Sequence, residues 1–137
     1  MTAFSKMIIS YLLTTLVFFV VDMLWLGLIA KNIYRKYLGA LLSETVNWAA
    51  ALIFYLLFIA GIFIFVIYPS IEKQSPGRAV VLGAIFGLIT YATYDLTNYA
   101  TLKGFPVNVV IIDLIWGTVL TTLVSISGYY ITKYVGI

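Results

Sequence analysis

Residues 7–30 read MIISYLLTTLVFFVVDMLWLGLIA, an apolar stretch with a single charged residue, Asp22. A helix needs about 20 residues to cross the hydrocarbon core of a bilayer, so this stretch is long enough to span a membrane. Its length and Asp22 argue against a secretory signal peptide, whose apolar core usually has about 7–15 residues. We therefore predict that the stretch forms a transmembrane helix.

Three further apolar stretches follow the first, and each is also long enough to cross a bilayer. They cover about residues 48–69, 79–101 and 106–132. Short polar segments containing proline and glycine separate the last three stretches, as expected for tight turns between antiparallel helices. We predict an all-α integral membrane four-helix bundle, formed by a single transmembrane domain across residues 1–137, with both termini on the same side.

The link between the first two spans has the pattern of an amphipathic helix. Its apolar side chains recur at helical spacing and lie opposite Lys31, Arg35 and Lys36. The apolar positions are Ile33, Tyr34, Tyr37, Leu38, Leu41 and Leu42. This pattern predicts either a short helix at the membrane interface or a helical extension of the first span.

The composition excludes a water-soluble domain and several kinds of chemistry. Of the 137 residues, 64% are hydrophobic and only 9% are charged, whereas soluble domains have about 25% charged residues. Cysteine and histidine are both absent. Their absence excludes thiol redox chemistry, imidazole or thiolate metal sites and a histidine general base, and we expect no cofactor and no metal.

The basic residues are distributed over every loop and both termini. They give a net charge of +3 without forming one patch, which favours anchoring at the membrane edge over nucleic-acid binding. Four of the eight fall on each predicted side of the membrane. The excess of positive charge that normally marks the cytoplasmic side therefore leaves the orientation open.

Three aspartates lie inside the predicted spans at nearly the same depth. Asp22, Asp95 and Asp113 each fall about seven or eight residues from the same end of the bundle, which corresponds to about 10–12 Å at helical rise. A carboxylate in hydrocarbon costs about 2.5 kcal/mol or more, so it normally faces a cavity or a partner, or stays protonated. The shared depth predicts a common polar site.

Aromatic and amide side chains surround the three aspartates in the sequence. Trp25, Tyr94, Asn98 and Trp116 complete our set of candidate ligand- or proton-binding residues. Asp22 and Asp113 also share the local pattern apolar-apolar-Asp-x-x-Trp. This pattern reflects either the use of an indole donor beside each carboxyl group or chance in an apolar sequence.

The remaining motifs predict structural roles. Gly83-x-x-x-Gly87 in the third span predicts a close approach between helices. The second span contains Tyr55 but no charge, and we expect it to serve as a packing wall. Four aromatic residues near span ends are predicted to be interfacial anchors. They are Trp48, Tyr129, Tyr130 and Tyr134.

The function that these features favour is a small transporter, or a membrane subunit that binds a cation or a proton. Its ligand would be a proton, a cation or a small amphipathic molecule held by the carboxylates and by cation–π contacts with the aromatic rings. Small multidrug transporters have a similar size and span number and usually dimerise, so a homo-oligomer is part of this hypothesis.

Two alternatives remain open. In the first, the protein is a structural or assembly subunit, and its protonated aspartates serve only as hydrogen-bonding groups between helices. In the second, it is a membrane enzyme acting on a lipid, with paired carboxylates as acid and base or as Mg²⁺ ligands. No catalytic residue can be assigned, and the chain has no phosphate-binding glycine loop or nucleophile elbow.

Three segments of the chain resemble a family of small bacterial predicted membrane proteins, catalogued as domain of unknown function 2177. They are Leu24–Tyr34, Tyr91–Gly104 and Asp113–Thr118, and the resemblance extends over nearly the whole chain. The resemblance implies a four-span, multi-pass protein of the bacterial inner membrane. It brings no established activity, but its segments include every candidate site residue except Asp22.

Overall fold

Four long helices make up most of the computed structural model, which describes all of residues 1–137. They are Ala3–Ile29, Trp48–Glu72, Pro76–Thr101 and Val107–Val135, and by length and composition each can cross a membrane. We call them the first, second, third and fourth spans. The predicted all-α fold with four membrane-capable helices is confirmed.

Three spans begin at polar residues whose side chains cap the helix. The Asn47 side chain accepts a hydrogen bond from the Ala50 amide, and the Ser75 hydroxyl accepts one from the Arg78 amide. Thr2 caps the first span in the same way. Such caps satisfy amide groups that have no partner within the helix. Because helical structure runs as far as these caps, the first and third spans begin a few residues before their apolar stretches.

The link between the first two spans contains the predicted short helix, at Lys31–Leu38. We call it the connecting helix. It ends at Gly39, whose φ of +28° is unfavourable for other residues. Leu41 and Leu42 consequently lie outside it, and every side chain from residue 39 to residue 50 is exposed.

The third and fourth spans pack closely along a row of small residues. A Cβ atom added at Gly83 would lie 2.7 Å from the Ser125 Oγ, and one added at Gly87 would lie 2.5 Å from the Gly117 carbonyl oxygen and 2.7 Å from the Thr121 Oγ1. None of these distances leaves room for a side chain. The prediction of close packing at Gly83 and Gly87 is therefore confirmed.

The second span packs against the bundle mainly through its second half. Phe58, Ile59, Ile62, Val66 and Ile67 are buried there, whereas no residue from 48 to 57 is buried. The buried half meets core residues of the first and fourth spans. They are Phe18, Leu120 and Val124. Because the first half does not close against the other helices, space remains beside it.

The two ends of the chain meet at one end of the bundle. The Lys6 Nζ donates a hydrogen bond of 3.2 Å to the Gly136 carbonyl oxygen. Near this end, Tyr130 and Tyr134 are exposed, as expected of anchors, but Tyr129 is only 1% exposed and packs edge-on against Tyr130. Tyr129 is thus part of the core, and its prediction as an interfacial anchor was wrong.

Candidate functional site

A cavity of about 410 Å³ lies between the four spans and the connecting helix. Every one of these five helices contributes to its wall. The lining residues are Asp22, Trp25, Leu26, Tyr34, Ala51, Phe54, Tyr55, Thr90, Tyr91, Tyr94, Asp113 and Trp116. The wall is mostly aromatic, with two carboxyl groups and no Lys or Arg.

Asp22 and Asp113 face this cavity from opposite antiparallel helices. Asp22 is only 6% exposed, and its Oδ1 accepts a long hydrogen bond of 3.4 Å from the Trp116 Nε1. Asp113 is partly buried, and its Oδ1 accepts a hydrogen bond of 2.8 Å from the Tyr34 hydroxyl. Each carboxyl group is therefore held by a donor from another helix, while the cavity gives it access to a ligand.

The connecting helix reaches the site through Tyr34. This side chain is partly buried beneath the helix, although its neighbours Lys31 and Arg35 are exposed. Burial raises the pKa of the Tyr34 phenol above its ordinary value, and the nearby Asp113 carboxylate raises it further. The hydroxyl therefore remains a hydrogen-bond donor to Asp113 over a wide pH range.

Two tryptophans form one wall of the cavity. The Trp25 and Trp116 rings stack with their centroids 4.4 Å apart and their planes 8° from parallel. Trp25 begins a π-helical turn, Trp25–Ile29, which ends the first span; such turns often occur at functional sites. The buried Trp25 Nε1 donates no hydrogen bond. The stack thus leaves one indole donor without a protein acceptor.

Asp95 is not among the residues that line the cavity. It is completely buried, and neither of its carboxyl oxygens receives a hydrogen bond from a donor group of the protein. Its carboxyl group is next to that of Asp113. Two of the three aspartates therefore line the cavity, and the third lies beside one of them.

Of the four other predicted site residues, three line the cavity and one does not. Trp25, Tyr94 and Trp116 line the cavity, whereas Asn98 lies next to the Tyr94 side chain and does not reach the cavity wall. Asn98 is therefore close to the site but not part of the cavity wall.

Several lining residues were missing from the predicted set. Tyr34 was placed only on the apolar face of the connecting helix, and the helical pattern does not show which part of the bundle that face covers. The second span contributes Ala51, Phe54 and Tyr55, and its apolar composition carries no signal for a site. It is a packing wall in its second half and a cavity wall in its first.

No group of three or more carboxylate, imidazole or thiol side chains is arranged to hold a metal ion in the structure. The arrangement offers a pair of accessible carboxylates beside aromatic faces, which is suited to a positively charged ligand.

Comparison with protein families shows a match over most of the chain. A family described as "Predicted membrane protein (DUF2177)" matches residues 7–130, which is most of the chain. The chain belongs to the DUF2177 family. The matched segment contains all four spans' contributions to the cavity, and the resemblance found in the sequence is confirmed.

As a DUF2177 member, the chain is a predicted membrane protein, and its four apolar helices agree with a lipid bilayer environment. Neither the comparison with curated proteins nor that with solved structures gave a match.

Proposed function

We propose that this protein binds a small organic cation in the cavity between Asp22 and Asp113, acting as a small transporter or as a cation-binding membrane subunit. One observation carries the proposal: two aspartates line a single aromatic cavity that contains no Lys or Arg. Uncompensated carboxylates are costly within a membrane. A cation bound between them offsets that cost.

The size and chemistry of the cavity support an organic ligand. Its volume of about 410 Å³ lies within the range of about 300–1,000 Å³ that is usual for small-molecule sites. Aromatic faces attract cations that approach within about 6 Å of the ring centre. The aromatic lining residues are Trp25, Tyr34, Phe54, Tyr55, Tyr91, Tyr94 and Trp116.

The cavity is also accessible from the side of the bundle. Leu26, Phe54 and Tyr94 line it and are at the same time exposed on the outer surface. In a bilayer that surface faces lipid. This geometry supports an amphipathic cation, which partitions into the membrane and enters between the first half of the second span and its neighbours.

Equilibrium binding of benzyltrimethylammonium to the purified protein tests the proposal. Asp22→Asn and Asp113→Asn each remove one negative charge and keep a similar shape, so each should weaken binding about tenfold or more, which corresponds to about 1.4 kcal/mol. Glu44→Gln changes an exposed carboxylate in the link between the first two spans, and should retain the wild-type affinity. Equal affinities in all four proteins would exclude a role for the two aspartates in binding.

Uptake into proteoliposomes separates the two forms of the proposal. A transporter moves benzyltrimethylammonium across the membrane, and this flux depends on Asp22 and Asp113 as binding does. A binding subunit shows the same affinity without flux. Failure to bind contradicts both forms.

A purely structural role is the second candidate, because both accessible aspartates form bonds between helices. The Trp116–Asp22 and Tyr34–Asp113 hydrogen bonds each join two different helices, and such bonds contribute about 0.6–2 kcal/mol in membrane proteins. Under this alternative, the asparagine variants alter thermal stability slightly, and no form of the protein binds the cation.

A further inference from the structure

Asp95 has a structural position that cation binding alone does not explain. It is 0% exposed, and both of its oxygens lack a hydrogen-bond donor. A buried carboxylate with neither a donor nor a cation costs several kcal/mol. Its neighbour Asp113 offers no compensation, since it is also a carboxyl group. The pair therefore requires a proton.

The packing of the third and fourth spans places this pair in contact. Gly83 lies against Ser125, Gly87 against Thr121, and Tyr91 against Gly117. Each step of four residues along the third span thus corresponds to a step of four in the opposite direction along the fourth. The next step in this register brings Asp95 opposite Asp113. Close packing of the two spans therefore sets this juxtaposition.

The titratable groups of the site supply no positive charge. They come from all the elements packed around the site. They are Asp22, Tyr34, Tyr55, Tyr91, Tyr94 and Asp113. All six line the cavity, and the basic residues of the connecting helix are exposed. A proton is the only charge-balancing partner that fits the buried contact without additional space.

We infer that Asp95 and Asp113 share one proton in the absence of a ligand, and that a cation bound at Asp113 releases this proton to water. The O–H bond of the shared proton breaks, the proton leaves through the cavity, and one positive charge replaces another, so the charge of the site is unchanged. This inference rests on the proposed cation site for the exchange step. It makes the site an exchanger of a proton for an organic cation.

The exchange is tested by measuring proton release while benzyltrimethylammonium is added to weakly buffered protein. This ligand has no proton of its own to release. Wild type and Glu44→Gln should release about one proton per cation bound, and their affinity should rise about tenfold per pH unit while the proton is held. Asp95→Asn supplies an amide donor in place of the proton, so it should bind with no release and with a pH dependence below about twofold.

Infrared spectroscopy of the ligand-free protein tests the shared proton separately from cation binding. A protonated carboxyl group gives a carbonyl stretch distinct from that of a carboxylate. At neutral pH this band should be present in wild type, shift when aspartate is labelled with ¹³C, and disappear in Asp95→Asn. The labelling needs no variant, so absence of a labelled band overturns the shared proton even if Asp95→Asn does not fold.

The outcomes separate the two proposals. A labelled band that Asp95→Asn removes, in a protein that binds no cation, supports the shared proton and contradicts the proposed function. Cation binding without proton release in wild type overturns the exchange, and the absence of a protonated aspartate band overturns the shared proton itself.

Discussion

The Trp25 and Trp116 indole rings stack in parallel, 4.4 Å apart, and this contact joins two copies of the same local pattern. Each tryptophan lies three residues after an aspartate of the cavity, Asp22 or Asp113. The pairing is not symmetrical, because Trp116 donates to Asp22 while the Trp25 Nε1 has no acceptor. The repeated pattern therefore builds one aromatic wall and leaves one donor free.

Loss of the Trp25 ring should weaken binding of the cation. Cation–π contacts contribute about 0.5–2 kcal/mol, so we expect Trp25→Leu to reduce benzyltrimethylammonium affinity by about 2–30-fold. Calorimetric titration measures the change. Trp48→Leu removes a tryptophan that is 62% exposed at the start of the second span and serves as the control. A larger loss in Trp48→Leu than in Trp25→Leu would place the ligand elsewhere.

Alkaline pH should destabilise the wild type through Tyr34. Because burial raises the pKa of this phenol in the folded protein, its contribution to stability is complete below the unfolded value of about 10. As pH rises above that value, unfolding releases a proton, and stability falls by up to about 1.4 kcal/mol per pH unit.

The Tyr34→Phe variant has no phenolic proton at this position. Its thermal stability should therefore fall less steeply than that of wild type above pH about 10. Tyr134→Phe alters a side chain that is 94% exposed and should follow the wild type. Unfolding monitored by circular dichroism in detergent gives the three slopes. Parallel slopes for wild type and Tyr34→Phe would contradict the predicted effect of the Tyr34 phenol.

Substitution of Gly87 should destabilise the bundle. An added methyl group meets the Gly117 carbonyl oxygen at 2.5 Å, and overpacking of this kind costs about 1–3 kcal/mol. Gly77→Ala is the matched control, since its nearest neighbour is the Ser75 Oγ at 3.9 Å. We expect the melting temperature of Gly87→Ala to decrease and that of Gly77→Ala to remain near wild type; equal values would contradict the packing register.

Filling the cavity from the second span should block the ligand while leaving the carboxylates intact. Ala51 lines the cavity, whereas the neighbouring Ala49 is exposed. A phenylalanine at Ala51 occupies space that a bound molecule needs, so Ala51→Phe should reduce benzyltrimethylammonium affinity about tenfold. Ala49→Phe should have no effect. Similar affinities in both variants would show that the ligand does not enter this cavity.

The four spans were predictable because a bilayer requires long apolar helices, and hydropathy alone locates them. The common depth of Asp22, Asp95 and Asp113 followed from the span ends. The rotation of each helix about its own axis was harder to predict from the sequence. It depends on which faces meet, and here the row of Gly83, Gly87 and Tyr91 turns Asp95 towards the fourth span and away from the cavity.

Residues brought together by tertiary packing could not be predicted from local patterns. The inward position of Tyr34 depends on how the connecting helix docks on the fourth span, and the amphipathic pattern is compatible with several orientations. Tyr129 resembles an interfacial anchor in sequence, yet it packs inside the bundle. The contribution of the second span to the cavity arises from incomplete packing of its first half, for which the sequence has no marker.

The location of the bound cation tests the central claim most directly. A structure of the protein with 4-bromobenzyltrimethylammonium would show the ligand through the anomalous scattering of bromine. We predict a bromine peak inside the cavity lined by Asp22, Trp25, Asp113 and Trp116, absent when Asp22→Asn and Asp113→Asn are combined. A peak outside this cavity, or one that persists in the double variant, would contradict the account.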